Sequence, residues 1–168
     1  MQNKDIQNEQ GLSDELLAQG VFIVEVLRDG KSGPQIMQRR VIPNLVVNTG
    51  KRQLWRQSTG LNAKVFNFMR IGTSAVAANS AQTNVITLVT GTLKTCDSRT
   101  LLSGTRTMQW VISYPSGSGT KSAANIREVV VLNQRTSPGG SALSRSVFTA
   151  VNKTQADKLR ITYRARVT

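Results

Sequence analysis

Histidine is absent from the chain, and cysteine occurs once, at Cys96. Without histidine, the Ser-His-Asp and Cys-His nucleophile systems, histidine general bases and histidine metal sites are excluded together. A single cysteine closes no internal disulfide, so the fold does not depend on an oxidising compartment. Lys94 and Arg99 are the kind of neighbours that lower a thiol pKa, but no partner base accompanies them, and Cys96 reads as an inert structural residue. No run approaches the roughly 18 consecutive apolar residues of a membrane span, and Met1 to Glu9 is polar, without a basic-then-apolar leader pattern. The expectation is a soluble protein without membrane contact. Aromatic residues are scarce at 5%, which leaves few for a base-stacking platform.

Acidic residues are also few: nine against 22 lysines and arginines, for a formal charge of +13. They are unevenly placed. Residues 1–30 hold Asp5, Glu9, Asp14, Glu15, Glu25 and Asp29 against Lys4 and Arg28, a balance of −4, so the remainder carries +17. In that remainder Asp97, Glu128 and Asp157 lie in unrelated segments, which suggests acids paired with surplus arginines rather than a catalytic carboxylate pair. Gly117 to Ser122 resembles the end of a phosphate-binding loop, but Thr120 separates Gly119 from Lys121 and a strand follows, so it reads as a turn. No catalytic residue, metal ligand or cofactor site is expected, and an enzyme is the last of the function classes.

With 168 residues, the chain is sized for one domain with a sizeable core. Residues 1–19 read as an extended arm. In it Ser13 caps a short helical turn, Asp14 and Glu15 sit at its positive end, and Leu12, Leu16 and Leu17 form its apolar side. From Gly20 the pattern turns to β. Gly20 to Arg28 and Gln35 to Ile42 predict a hairpin, and a short helix is expected near residues 50–57, with Leu54 and Trp55 facing inward. Further strands are expected over Val65 to Gly72, Val85 to Thr92, Thr107 to Tyr114, Ile126 to Leu132, Leu143 to Phe148 and the C-terminus. In Thr107 to Tyr114, Met108, Trp110, Ile112 and Tyr114 share a face. In the C-terminal strand Leu159, Ile161, Tyr163, Ala165 and Val167 oppose Lys158, Arg160, Thr162, Arg164 and Arg166. Gly- and Ser-rich turns and little helix complete the signature of a mainly β domain over residues 20–168, an antiparallel β-sandwich or jelly roll. Ser116 to Ser122 and Asn133 to Ser141 are its exposed loops.

The basic residues are the candidate functional groups. Lys158, Arg160, Arg164 and Arg166 form either a strip that binds an acidic face or a solvated outer surface. The Arg39-Arg40 pair and the Lys51, Arg52 and Arg56 group favour docking, because acidic counterparts are so few. Arginine outnumbers lysine fourteen to eight, which suits bidentate contact with carboxylate or phosphate. The partner is an acidic protein surface, the acidic arm of a neighbouring copy or, as second choice, nucleic acid bound through its phosphates without sequence preference. Trp55 and Trp110, read as core, count against nucleic acid.

Asn44-Leu-Val-Val-Asn-Thr-Gly-Lys51 and Phe68-Met-Arg-Ile-Gly-Thr73 resemble segments of small virion proteins of tailed bacteriophages. Ala124 to Leu132, Leu143 to Phe148, Val151 to Lys153 and Leu159 to Tyr163 follow in the same order, so the resemblance spans most of residues 20–168. It implies a compact, non-catalytic β-sandwich assembled in a bacterial host cytoplasm into the virion. The implied role is a capsid decoration (cement) protein, or alternatively a tail, collar or fibre-attachment adaptor. The implied partners are the major capsid protein or other virion proteins, and further copies of the chain, with a trimer as the expected oligomer. On this expectation the docking residues are the basic groups named above together with Leu12, Leu16 and Leu17 of the arm.

Overall fold

The computed structural model describes residues 19–61, 64–116, 123–134 and 140–166. In chain order these form β1 (Gln19–Gly30), β2 (Gly33–Pro43), β3 (Leu45–Val46), α1 (Asn48–Ser58), β4 (Phe68–Gly72), β5 (Lys94–Thr95), β6 (Ser98–Leu102), β7 (Thr107–Tyr114), β8 (Ala123–Leu132), β9 (Ala142–Lys153) and β10 (Asp157–Arg166). The strands build two five-stranded antiparallel sheets, ordered β2-β1-β10-β7-β6 (sheet A) and β3-β9-β8-β4-β5 (sheet B). This is the expected β-sandwich.

Sheet A follows from two-residue alternation. Phe22, Val24 and Val26 of β1, Trp110, Ile112 and Tyr114 of β7, and Leu159, Ile161 and Tyr163 of β10 all point into the core. They meet Met69, Ile71, Val129 and Val131 from sheet B, each large side chain gaining about 1.5–3 kcal/mol on burial. The polar ends of the buried aromatics are satisfied. The Trp110 indole N–H donates to the Phe66 carbonyl at 2.9 Å and the Tyr114 hydroxyl to that of Thr92 at 2.7 Å. Asn44 Nδ2 donates to both Ser144 Oγ (2.7 Å) and the Tyr163 hydroxyl (2.9 Å), joining the sheets. Tyr163 also stacks on Phe22 at 4.6 Å.

Sheet B is buried on both faces. Its outer side carries a second, smaller core of Val47, Val130, Leu132 and Ala142, on which Phe68, Val85 and Leu93 pack. This explains the unbroken Val129-Val130-Val131-Leu132 run, because a strand covered on both faces loses its alternation. The cover comes from residues 73–93, and here the structure corrects an expectation. Val85 to Thr92 is not a strand; its one β-bridge to a sheet is that between Leu88 and Gly72. The reason is chemical: the N–H groups of Ile86 and Thr87 donate to the Glu128 carboxylate at 3.0 and 2.9 Å instead of to a neighbouring strand.

Three further differences concern boundaries and faces. Val65 to Phe66 precede the strand that begins at Phe68, and β5 and β6 were not expected. Trp55, expected inside, is 53% exposed. Helix α1 lies against β9 at Gly50 and turns Gly50, Gln53, Leu54 and Gln57, the i, i+3, i+4, i+7 stripe, toward the protein. Gly50 sits so close that an added Cβ would lie 2.5 Å from the Leu143 carbonyl oxygen, and Gln53 and Gln57 both donate to the Lys64 carbonyl at 3.0 Å. With that stripe fixed, Trp55 is turned outward.

Candidate docking surface

Among the described residues, one face of the sandwich is clad and the other carries no covering segment. The latter, the outer face of sheet A, is laid out by register in cross-strand rows. Arg39, Glu25, Arg160 and Ser113 form one row; Val41, Ile23, Thr162 and Val111 the next; Pro43, Val21, Arg164 and Gln109 the third. Rows lie two residues apart, about 7 Å along the strand. An apolar band is therefore bordered by arginines on both sides, with Lys158 and Arg166 beyond them on β10. Val41 at the β2 edge is 57% exposed.

Glu25 is the one acid in these rows. Arg160 grips it with Nε at 2.9 Å and Nη2 at 2.8 Å, and Arg39 approaches at 3.5 Å. A single carboxylate thus orders two guanidinium groups without neutralising both. Arg164 donates from Nε to Gln109 Oε1 at 2.8 Å and remains exposed.

The structure brings Lys158, Arg160, Arg164 and Arg166 together on one face, joined by Arg39. It separates Arg39 from Arg40: consecutive strand residues point to opposite sides, and Arg40 is registered with buried Val24, half-buried, its Nη1 donating to the Arg39 carbonyl at 2.9 Å. They do not share a face of the sheet. Arg52 and Arg56 lie on the exposed side of α1 with Trp55 between them, as a separate basic group, and Lys51 is half-buried. Leu12, Leu16, Leu17 and Val167 lie outside the described residues, as do most of Ser116 to Ser122 and residues 135–139 of the second loop. The base of that second loop is closed by Ser141, whose N–H donates to Asn133 Oδ1 at 2.8 Å.

No family model, curated protein or solved structure matches the chain.

Glu128, Asp157 and Asp97 are engaged within the fold. Glu128 and Arg145 are fully buried and joined from Nε at 3.0 Å and Nη2 at 2.6 Å. Arg145 also donates to Gln82 Oε1 (2.8 Å) and the Val76 carbonyl (3.1 Å), while Glu128 accepts from Ser74, Ile86 and Thr87 N–H. Asp157 accepts from Arg28 Nε at 2.8 Å and from Thr154 N–H and hydroxyl at 2.9 and 2.6 Å, which together hold its carboxyl down at about 2. Asp97 pairs with a lysine, Lys94, rather than an arginine, and accepts from Ser113 N–H. Burial, reinforced by Asp97, pushes the Cys96 thiol up to about 12, so it stays protonated at neutral pH. Among the described residues no group of three or more Cys, Asp or Glu is placed to hold a metal ion, and no helix is long and apolar enough to cross a membrane.

Sequence reasoning found the basic strip from its alternation but missed the apolar band and Glu25. The signal was present in Val21-Phe22-Ile23-Val24: when Phe22 and Val24 are core, Val21 and Ile23 are left on the outside. Nothing in the sequence marked Val41 or Val111 as their neighbours, since that follows from strand order.

Proposed function

We propose that the protein is a non-enzymatic structural component of a tailed-phage particle, a capsid decoration protein that docks through the outer face of sheet A onto acidic polypeptide. The observation that carries this reading is the asymmetry of the sandwich. Residues 73–93 cover sheet B, whereas sheet A presents an apolar band bordered by Arg39, Arg160, Arg164, Lys158 and Arg166 against Glu25 alone. Apolar contact supplies affinity, and arginines fixed by Glu25 and Gln109 supply register to a carboxylate-bearing partner. The order of segments resembling small virion proteins supplies the particle.

The test is the copy number of the chain in purified particles, measured by quantitative mass spectrometry against the major capsid protein. A ratio near one, or one per few capsid subunits, is expected. A handful of copies would move the protein to the neck, tail or fibre attachment, and absence would overturn the reading. Arg164→Glu with Lys158→Glu should lower incorporation of a chain that still folds.

One observation favours a second reading, sequence-independent nucleic-acid binding. Trp55 is exposed between Arg52 and Arg56, which provides a stacking face beside two phosphate-binding side chains. Because Trp110 is buried, quenching of tryptophan fluorescence by single-stranded oligonucleotide reports on Trp55. Salt-sensitive quenching that is lost in Trp55→Phe would support this alternative, and unchanged fluorescence would remove it.

A further inference from the structure

The docking face of sheet A has a chemistry that a partner must mirror: apolar side chains for the Val21, Ile23 and Val41 band, and carboxylates for the arginines on either side. The chain itself contains such a segment. Residues 1–18 carry Asp5, Glu9, Asp14 and Glu15 against Lys4, and within them Leu12, Leu16 and Leu17 surround Asp14-Glu15. Three leucines and two adjacent acids match a band edged by Arg160 and Arg164. The rest of the chain offers no comparable segment, since beyond residue 30 only Asp97, Glu128 and Asp157 are acidic, and each of these is already engaged by Lys94, Arg145 or Arg28.

Chain length decides whose arm it is. Only Ala18 separates Leu17 from Gln19, the first residue of β1. The Ile23 row lies four residues along β1, about 13 Å away at 3.3 Å per residue. Leu17 reaches at most about 7 Å from Gln19 at full extension. To lie back over its own sheet the chain must also reverse, and a reversal takes about four residues, which would consume Glu15 to Ala18 themselves. A chain therefore cannot seat Glu15, Leu16 and Leu17 on the Ile23 row of its own face, whereas a second copy can.

We infer that residues 12–17 of one copy bind the outer face of sheet A of a neighbouring copy, with Leu12, Leu16 and Leu17 on the Val21, Ile23 and Val41 band and Asp14 and Glu15 toward Arg160 and Arg164. This rests on the proposed docking role of that face and names its partner. It makes the chain a self-linking unit.

The test is oligomeric state in solution, by light scattering on the full-length protein, with two complementary charge-reversed variants. The full chain is expected to associate at low salt and to dissociate at about 1 M salt, where the screening length falls to about 3 Å. Asp14→Arg with Glu15→Arg should give a folded monomer, and so should Arg164→Glu with Arg166→Glu. Mixing the two variants should restore assembly as a mixed oligomer, because each basic arm then finds an acidic face on the other variant and each acidic arm a basic one. A monomeric wild type, or an oligomer indifferent to both reversals, would overturn the inference, as would a mixture that stays monomeric. Copy number in particles separates this from the virion reading: a protein abundant in particles yet monomeric in solution would sink the self-linking arm alone.

Discussion

Glu128 is held in the centre of sheet B by more than its ion pair with Arg145. Its two oxygens also accept the N–H groups of Ser74, Ile86 and Thr87, so the carboxylate serves as the missing strand for a segment that has none. Arg145→Met leaves that carboxylate buried without its cation and should cost about 3–5 kcal/mol, read as a drop in the denaturant midpoint. Replacing the pair together, Glu128→Leu with Arg145→Met, should not restore stability as it does for an isolated buried pair, because three backbone donors are then orphaned at about 1–3 kcal/mol each. Recovery to wild-type stability would show that the N–H contacts matter little. Asp157 makes a different prediction, in pH. Its carboxyl is lowered from an ordinary 3.8 to about 2, first by the Arg28 hydrogen bond and then by Thr154. A depressed carboxyl stabilises the fold at pH above about 4, and that contribution disappears as pH falls toward 2. Asp157→Asn should therefore lower stability at neutral pH and flatten its loss between pH 4 and 2, as followed by urea titrations across that range.

At the scale of the element, α1 depends on one missing side chain. Gly50 brings the helix against the backbone of β9, where a Cβ would meet the Leu143 carbonyl oxygen, the Leu143 Cα and the Ala142 carbonyl oxygen at 2.5–2.8 Å. Backbone cannot swing aside as a side chain can, so Gly50→Ala should destabilise by about 1–3 kcal/mol even though alanine is the better helix former. Denaturation of the variant checks this, and a gain in stability would mean that the helix can slide outward at no cost. The same stripe explains how far the sequence was legible. Alternation in β7 and β10 is written in single residues, and the core face of each could be read directly. The valine run of β8 announced burial on both sides but not what covered it. Trp55 misled because hydrophobicity alone assigns tryptophan to the interior, while helix orientation here is set by Gly50 and the two glutamines that reach Lys64. Ser98-Arg-Thr-Leu-Leu102 escaped notice because an edge strand, with Leu101 65% exposed, needs little apolar pattern. The proposed docking face was half-visible: all its basic residues but Arg39 share β10, but the band between them is assembled from β1, β2 and β7.

For the whole molecule, sheet A is held together by its last strand. β10 lies at the centre of the order β2-β1-β10-β7-β6, pairing with β1 on one side and β7 on the other. Deleting residues 157–168 should leave the β1–β2 and β6–β7 ladders without a common partner and expose Phe22, Trp110 and Ile112. The expected product is an unfolded or aggregated chain rather than a trimmed sandwich, distinguishable by circular dichroism and size-exclusion chromatography. A folded monomer would mean that β1 and β7 can pair directly. The edge at β2 is guarded against stray pairing by Pro34 and Pro43 at its ends and a register shift opposite Val26 and Leu27.

That central place for β10 also fixes an order of events in time. While the ribosome is still adding residues, β1 and β2 can form their hairpin and β8 can find β9, but sheet A has no middle until translation has passed Arg166. The arginines of β10 lie in that same stretch. The proposed docking face therefore does not exist on a nascent chain, and a copy still being synthesised has no such face to offer a neighbour's arm.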